Sequence, residues 1–380
     1  MKKSNILAIA TVLIALHVLA FIVFIGKKEH QPQRPEPAPA STAEQSSPID
    51  IPKFEVAPLQ LLPGKPTTEP MTIKDTVEPV AVKSMPPAQA RETIAKPGNR
   101  SGYLRSDLPN RRTSKVYSKL VGDPYRGAIV VDARTGKILY EDHATAYAYP
   151  ASVTKLMTLL IVLEQIEAGK IHLNDKVAIT PEIAGIGGSG VYLDVRESGA
   201  FTADDMIKAM MIHSACDAAE ALAVHVAGST DAFIDMMNQK ARELGMNSTT
   251  YHSPHGLPPG DGKQPDISTA YDTAILCLAV LRHPETLEYT SIKLTYLPLS
   301  PIRKEKFMLA NRNALVGKDP YPGCDGLKTG YHKMGGYSLA ATAMHGNDRV
   351  VAVVLGVPDR KTRNDTVKKL LDKGFELINQ

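Results

Sequence analysis

Fifteen of the chain's 28 prolines fall between Gln31 and Asn110, among alanines, glutamates, glutamines, serines and threonines and without a sustained apolar period. Proline fixes φ and removes a backbone donor, so such a stretch cannot bury enough surface to offset the entropy of ordering it. A packed core must therefore come from the residues C-terminal to it. It reads as part of a linker over 31–116, and its 80 residues from Gln31 to Asn110 would reach about 250 Å if wholly extended and far less as a coil. Residues 54–62 are fairly apolar, so a small folded unit is the competing reading there. Upstream, Lys2 and Lys3 precede an uncharged run from Ile6 to Ile25, broken only by His17. A helix of that length spans roughly 30 Å, the thickness of a bilayer core. The run ends in Gly26-Lys27-Lys28-Glu29 with no small-residue cleavage pattern, which favours an uncleaved membrane anchor over 1–30 rather than a removed signal peptide. Lysines flank both ends, and the α-amino group and Glu29 tilt the expectation towards a single pass with the N-terminus inside. The domain would then lie outside the cytoplasm, on the periplasmic side of the cytoplasmic membrane.

The remaining composition excludes several function classes. With 44 basic and 40 acidic residues the net charge is +4, and the basic residues are scattered, so the electrostatic footprint of a nucleic-acid binder is missing. Cys216, Cys277 and Cys324 are an odd, sparse set without ligand spacing, and the 11 histidines form no HExxH pattern. No metal or cofactor is expected.

From about Tyr117 the texture becomes that of a folded domain, 117–380. Residues 127–132 and 137–141 read as strands joined by the turn Ala133-Arg134-Thr135-Gly136. A helix is expected over 152–168, where leucines recur at three- and four-residue spacing before Gly169. Thr202 followed by Asp205 reads as the cap of a helix to about Ile212, and further helices fit 217–227, 230–244 and 268–281. Strand texture returns over 326–331, 337–344 and 349–357, the last two joined by His345-Gly346-Asn347-Asp348, and a helix fits 362–378. This order predicts an α/β (α+β) fold: one antiparallel sheet built from both chain ends, a helical lobe beside it, and a cleft between them.

Ser152-Val153-Thr154-Lys155 is the chain's only S-x-x-K, at the start of the expected helix. Three residues apart on a helix means one face. A serine hydroxyl becomes a good nucleophile when a base takes its proton, and a lysine amine does so if burial or nearby positive charge lowers its pKa. Ser214-Ala215-Cys216-Asp217 sits between two helical runs, where Ser214 either passes a proton to a leaving amine or caps the next helix. Asp325-Gly326-Leu327-Lys328-Thr329-Gly330 heads the C-terminal strands. There Lys328 and Thr329 suit a substrate carboxylate, and Gly330 suits a peptide lying against the strand. Strict alternation points Lys328 and Thr329 to opposite faces, so both reach one site only on an edge or twisted strand.

In order, these motifs resemble the penicillin-recognising serine enzymes, and specifically the low-molecular-weight D-alanyl-D-alanine carboxypeptidase family. The resemblance runs from about Tyr117 to the end and includes the hairpin over 132–140, the run 150–158, Ser253-Pro254-His255-Gly256-Leu257-Pro258 and 325–330. It implies a β-lactamase/transpeptidase-like fold. Ser152 would be acylated with Lys155 as its base, Ser214 would relay protons, and Lys328 with Thr329 would bind the terminal carboxylate. It also implies an oxyanion hole from the backbone N–H groups of Ser152 and Tyr331. Arg363 matches an arginine the family uses near the substrate carboxylate, although its neighbours diverge and a surface arginine at a helix start is the other reading. The implied partners are peptidoglycan stem peptides ending in D-Ala-D-Ala, with β-lactams as inhibitors.

Two departures stand out. Cys216 occupies the family's usual asparagine position, where an amide holds the substrate's acyl side, and a thiol is a weaker donor and acceptor. The sequence ends at Gln380, without the C-terminal β-domain and amphipathic tail of many relatives, so the N-terminal span is expected to supply membrane attachment. Competing readings are a D,D-transpeptidase, a β-lactamase and a non-catalytic binder of wall peptides. A β-lactamase of one class needs an E-x-x-L-N segment, and Glu243-Leu244-Gly245-Met246-Asn247 reads better as a helix end.

Overall fold

A computed structural model of the chain describes residues 94–96, 98, 102–105, 119–258 and 264–380. The anchor expected over 1–30 and nearly all of the linker expected over 31–116 lie outside them. The chain divides into two units, Met1–Glu78 and Pro79–Gln380, and all the described residues belong to the second.

The main elements, in chain order, are strands β1 (Gly127–Asp132) and β2 (Ile138–Asp142) and helices α1 (Lys155–Glu167), α2 (Ala203–Lys208), α3 (Cys216–Ala227), α4 (Thr230–Glu243) and α5 (Ala270–Leu281). A short hairpin of β3 (Leu294–Leu297) and β4 (Phe307–Ala310) comes next, then β5 (Cys324–His332), β6 (Gly336–His345), β7 (Asp348–Val357) and α6 (Arg360–Ile378). The five long strands form one sheet in the order β2-β1-β7-β6-β5, antiparallel at every pairing. Both chain ends supply it, and β5, which carries Lys328-Thr329-Gly330, is an edge strand.

Alternation along β7 explains why the sheet holds both layers together. Val351, Val353 and Leu355 join Ile129, Leu156, Leu160, Ile275 and Leu278 in the core shared with the helical lobe. Val350, Ala352 and Val354 join Val130, Val367, Leu371 and Phe375 in a second core under α6. A strand covered on both faces reads as an almost unbroken apolar run, because side chains alternate every residue. Each such side chain contributes about 1.5–3 kcal/mol on burial.

Local starts and stops reflect the residues present. Thr202 caps α2 through a reciprocal pair with Asp205: the Asp205 N–H donates to Thr202 Oγ1 at 3.2 Å and the Thr202 N–H to Asp205 Oδ2 at 2.9 Å. Gly169, at φ +67, ends α1 as the sequence implied. Three differences from expectation bear on the site. The expected helix from Ser152 begins as a 3₁₀ turn, Ala151–Thr154, and becomes α-helical only at Lys155. The helix expected up to Ile212 is α-helical only to Lys208, continues as a π-helical turn through His213, and ends with Ser214 at φ +66. The β3–β4 hairpin was not legible, because its four-residue strands are short, bury only one residue each fully and lack a clean apolar alternation. Inside the stretch read as linker, Leu104 is fully buried. Its N–H donates to Gly136 O at 3.1 Å, and the Ile138 N–H donates to Gly102 O at 2.8 Å, so residues 102–105 pack along the β1–β2 hairpin.

Candidate active site

The turn carrying Ser152 is built by close approach of two glycines. A Cβ on Gly256 would lie 2.0 Å from the Ala151 carbonyl oxygen, and one on Gly330 would lie 2.5 Å from that of Pro150. Backbone from 253–258 and from β5 can press against the turn only because both positions lack a side chain. Ala151 itself is held at φ +51. The role expected for Gly330, to admit a peptide, is thus joined by a different one: its open side faces the turn that carries Ser152. Gly330→Ala is expected to cost about 1–3 kcal/mol through overpacking and to slow acylation of Ser152 by about 10²-fold through misplacement. Thermal melts and penicillin-labelling rates check both.

Lys155 is fully buried, and its Nζ donates to Ser152 Oγ at 3.0 Å and to the His255 carbonyl oxygen at 2.7 Å. The Cys216 Sγ lies 3.4 Å from the same amine. Cys216 is 1% exposed and lines Lys155, so it belongs to the site. Ser214 does not cap α3; the cap position is Ala215, which makes no side-chain bond. Instead Lys328 Nζ donates to Ser214 Oγ at 2.8 Å and to Thr329 O at 3.1 Å. The left-handed backbone of Ser214 after a π-helical turn is what aims its hydroxyl at β5, and π-turns recur at functional positions for this reason. The sequence named no partner for the Ser214 hydroxyl; in the structure it is bound by Lys328.

Thr329 is buried beside Lys328, whereas Tyr331 is exposed with its ring 4.5 Å from that of Tyr337. Thr329 meets the Lys328 amine through its carbonyl oxygen, and β5, which carries both, is the sheet's edge. Arg363, only 3% exposed, is not a surface residue, which removes that reading. Its Nε and Nη2 both donate to Asn364 Oδ1, at 3.0 and 2.7 Å, and its charge acts on Lys328. Burial lowers the Arg363 guanidinium to about 10.

Behind the site, Asp266, Thr154 and Thr158 had no role read from the sequence, and the matching segment 253–258 had none assigned to its residues. The buried carboxylate of Asp266 accepts from Thr154 Oγ1 at 2.8 Å, from Ser253 Oγ at 3.2 Å, and from the N–H groups of His252 and Ser253 at 2.6 and 3.0 Å. It ties the 252–257 segment, and with it the carbonyl that holds Lys155, to the turn that carries Ser152. Thr158 Oγ1 adds a bond to Pro254 O at 2.6 Å.

The amines of Lys155 and Lys328 are bonded to hydroxyls and carbonyls, with a thiol beside Lys155. Burial, and then the charge of Lys155, hold Lys328 well below the ordinary lysine value. Burial also lowers three histidines from 6.5: His255 to about 3, with help from Lys155; His213 to about 4, with help from Arg312 and Lys328; and His332. The unfolded chain binds protons below 6.5 that the fold refuses, so this stability is present above 6.5 and lost as pH falls. Asp266 is raised by burial from 3.8 to about 6, and opposes them between those two values because the folded protein keeps its proton. The histidines outnumber it, so the melting temperature is expected to fall between pH 6.5 and about 4.5. A rise over that range would contradict the assignment of these groups as buried and neutral.

The family model described as D-alanyl-D-alanine carboxypeptidase matches residues 125–359. The chain belongs to the D-alanyl-D-alanine carboxypeptidase family. It is 38% identical over 275 residues to the D-alanyl-D-alanine carboxypeptidase DacF of Bacillus subtilis, covering 72% of this chain and 66% of that one. It is 36% identical to DacC of Escherichia coli, covering 67% and 62%. The chain thus spans less than two thirds of the length of these curated relatives. Penicillin-Binding Protein D2 from Listeria monocytogenes, solved in its ampicillin-bound form, is 30% identical with a TM-score of 0.58, covering 69% of this chain and all of that one. A mutant of a Streptomyces DD-transpeptidase is 25% identical with a TM-score of 0.60, covering 67% and 98%. The mixed α/β fold with its antiparallel sheet is the carboxypeptidase family's penicillin-binding fold. Within it, Ser152, Lys155, Ser214, Cys216, Lys328 and Thr329 converge, with Gly330 against the turn.

Proposed function

We propose that this chain is a serine-type D-Ala-D-Ala carboxypeptidase that trims peptidoglycan stem peptides through an acyl-enzyme on Ser152 and is inhibited by β-lactams. The carrying observation is the 3.0 Å contact between Ser152 Oγ and the fully buried Lys155 Nζ, next to the Lys328–Ser214 pair, in a domain of this family. When the Lys155 amine is unprotonated, the Ser152 hydroxyl donates to Nζ over the same distance, and Oγ attacks the carbonyl of the penultimate D-alanine. The backbone N–H groups of Ser152 and Tyr331 receive the oxyanion. As the C–N bond breaks, the proton taken by Lys155 passes to the leaving amine, with Ser214 as relay. Water then attacks the ester, giving its proton back through Lys155 and freeing Ser152. Lys328, Thr329 and Arg363 hold the terminal carboxylate, and the thiol of Cys216 replaces an amide on the acyl side.

A transpeptidase shares every step to the ester and differs only in the acceptor, and the likeness to a Streptomyces DD-transpeptidase favours this as the second reading. Incubating the full chain with a wall pentapeptide, with and without an amine acceptor, and weighing the products tests both. Loss of one D-alanine in either condition supports the carboxypeptidase, and an acceptor-joined product supports the transpeptidase. The reading includes a membrane anchor at 1–30 with the domain on the periplasmic side, supported by the apolar run from Ile6 to Ile25. The full chain should partition with membranes, and a soluble extracytoplasmic form beginning near residue 27 would refute the anchor.

A further inference from the structure

Tyr192 is 75% exposed and sits at φ +57, a conformation that a bulky residue keeps only when its surroundings impose it. The imposing groups are visible. Asp217, in the first turn of α3 next to Cys216, accepts the Val191 N–H at 3.2 and 3.1 Å and the Leu193 N–H at 3.1 Å, one on each side of Tyr192. Arg303 Nη2 donates to the carbonyls of Val191 and Tyr192 at 3.0 and 3.4 Å, and is itself held by the fully buried Glu197. The Cys216 N–H donates to Ser189 O at 2.7 Å. The 189–193 loop is therefore locked to the same helix start that presents Ser214 and Cys216, with its one aromatic ring turned outwards.

That ring continues into the wall of the site. Tyr192 meets Phe307 edge-on at 6.2 Å between centroids, and Phe307 meets His213, the residue before Ser214, at 5.3 Å. The row thus runs from His213, next in sequence to the Ser214 that Lys328 binds, out to the exposed Tyr192 ring. A stem peptide whose two terminal residues fill the space between Ser152 and Lys328 must lead the rest of its chain out past a wall. The β5 wall offers backbone, polar groups and the Tyr331 ring, itself set against Tyr337, and the lobe side offers the Tyr192 ring held in place by its loop. A ring already fixed in place loses little freedom on binding, which makes it an efficient contact for an aliphatic side chain or a peptide plane.

We propose that Tyr192 is a specificity determinant of this reaction, its ring being the platform for the residue that precedes the two terminal D-alanines. The inference rests on the proposed D-Ala-D-Ala activity. The test compares the full chain with Tyr192→Ala and Tyr192→Phe on two substrates, acetyl-D-Ala-D-Ala and a doubly acetylated Lys-D-Ala-D-Ala. Alanine and phenylalanine bear a similar backbone penalty at positive φ, so their comparison isolates the ring. The kcat/KM preference for the tripeptide over the dipeptide is expected to fall about tenfold in Tyr192→Ala and to persist in Tyr192→Phe. An unchanged preference in folded Tyr192→Ala, or an equal loss of it in Tyr192→Phe, would overturn the proposal. Hydrolysis of neither peptide by the unaltered chain would overturn it together with the activity on which it rests.

Discussion

Lys155→Met is expected to slow covalent capture of penicillin at Ser152 on the order of 10³-fold, within the range that a positioned general base contributes. Methionine keeps the length and apolar stem of lysine, so the space around it stays filled. The substitution removes the only nitrogen that meets Ser152 Oγ at 3.0 Å, the His255 carbonyl at 2.7 Å and the Cys216 thiol at 3.4 Å among the described residues. It leaves that carbonyl without its partner, a cost of about 1–3 kcal/mol, and at the same time relieves the burial of an amine, which works in the opposite direction. Stability should therefore change little while the rate collapses. Stopped-flow labelling beside a thermal melt separates the two, and a folded Lys155→Met that acylates at a rate near the original would mean that another group takes the serine's proton.

Much of this site could be read in the chain because its chemistry is carried by side chains with recognisable spacing. Ser152 and Lys155 are three residues apart, and one helical turn brings them together whether that turn is α or 3₁₀. Lys328 and Thr329 were legible as a pair needing an edge strand, and β5 is one. The sheet from both chain ends was legible in the β-type runs at 127–141 and 326–357. What was hidden was carried by backbone or by distance. His255 contributes a carbonyl, a group every residue has, and Gly256 contributes an absence that only the approach of Ala151 makes meaningful. Asp266 lies 112 residues from Thr154, so nothing local links them. The bond between Ser214 and Lys328 was not foreseen for a geometric reason: a π-helical turn ending at φ +66 redirects a side chain in a way that regular helical spacing does not show. The burial of Arg363 depends on how the start of α6 meets its surroundings, which its divergent neighbours in sequence did not announce.

Ser152→Ala carries the largest expected effect, because it removes the atom on which the ester forms and leaves every other group in place. The turn is held by backbone, through Gly256, Gly330 and the Thr154–Asp266 bond, and Ser152 itself is only partly buried, so the fold should be retained. Without the hydroxyl neither penicillin nor peptide can be captured covalently, and binding without chemistry is all that remains. The most direct measurement is the release of free D-alanine from a wall pentapeptide by the full chain and by Ser152→Ala at equal concentration. Steady release by the full chain, with none above background from the folded variant, is the expected result; release at the same rate by both would show that Ser152 is not the nucleophile.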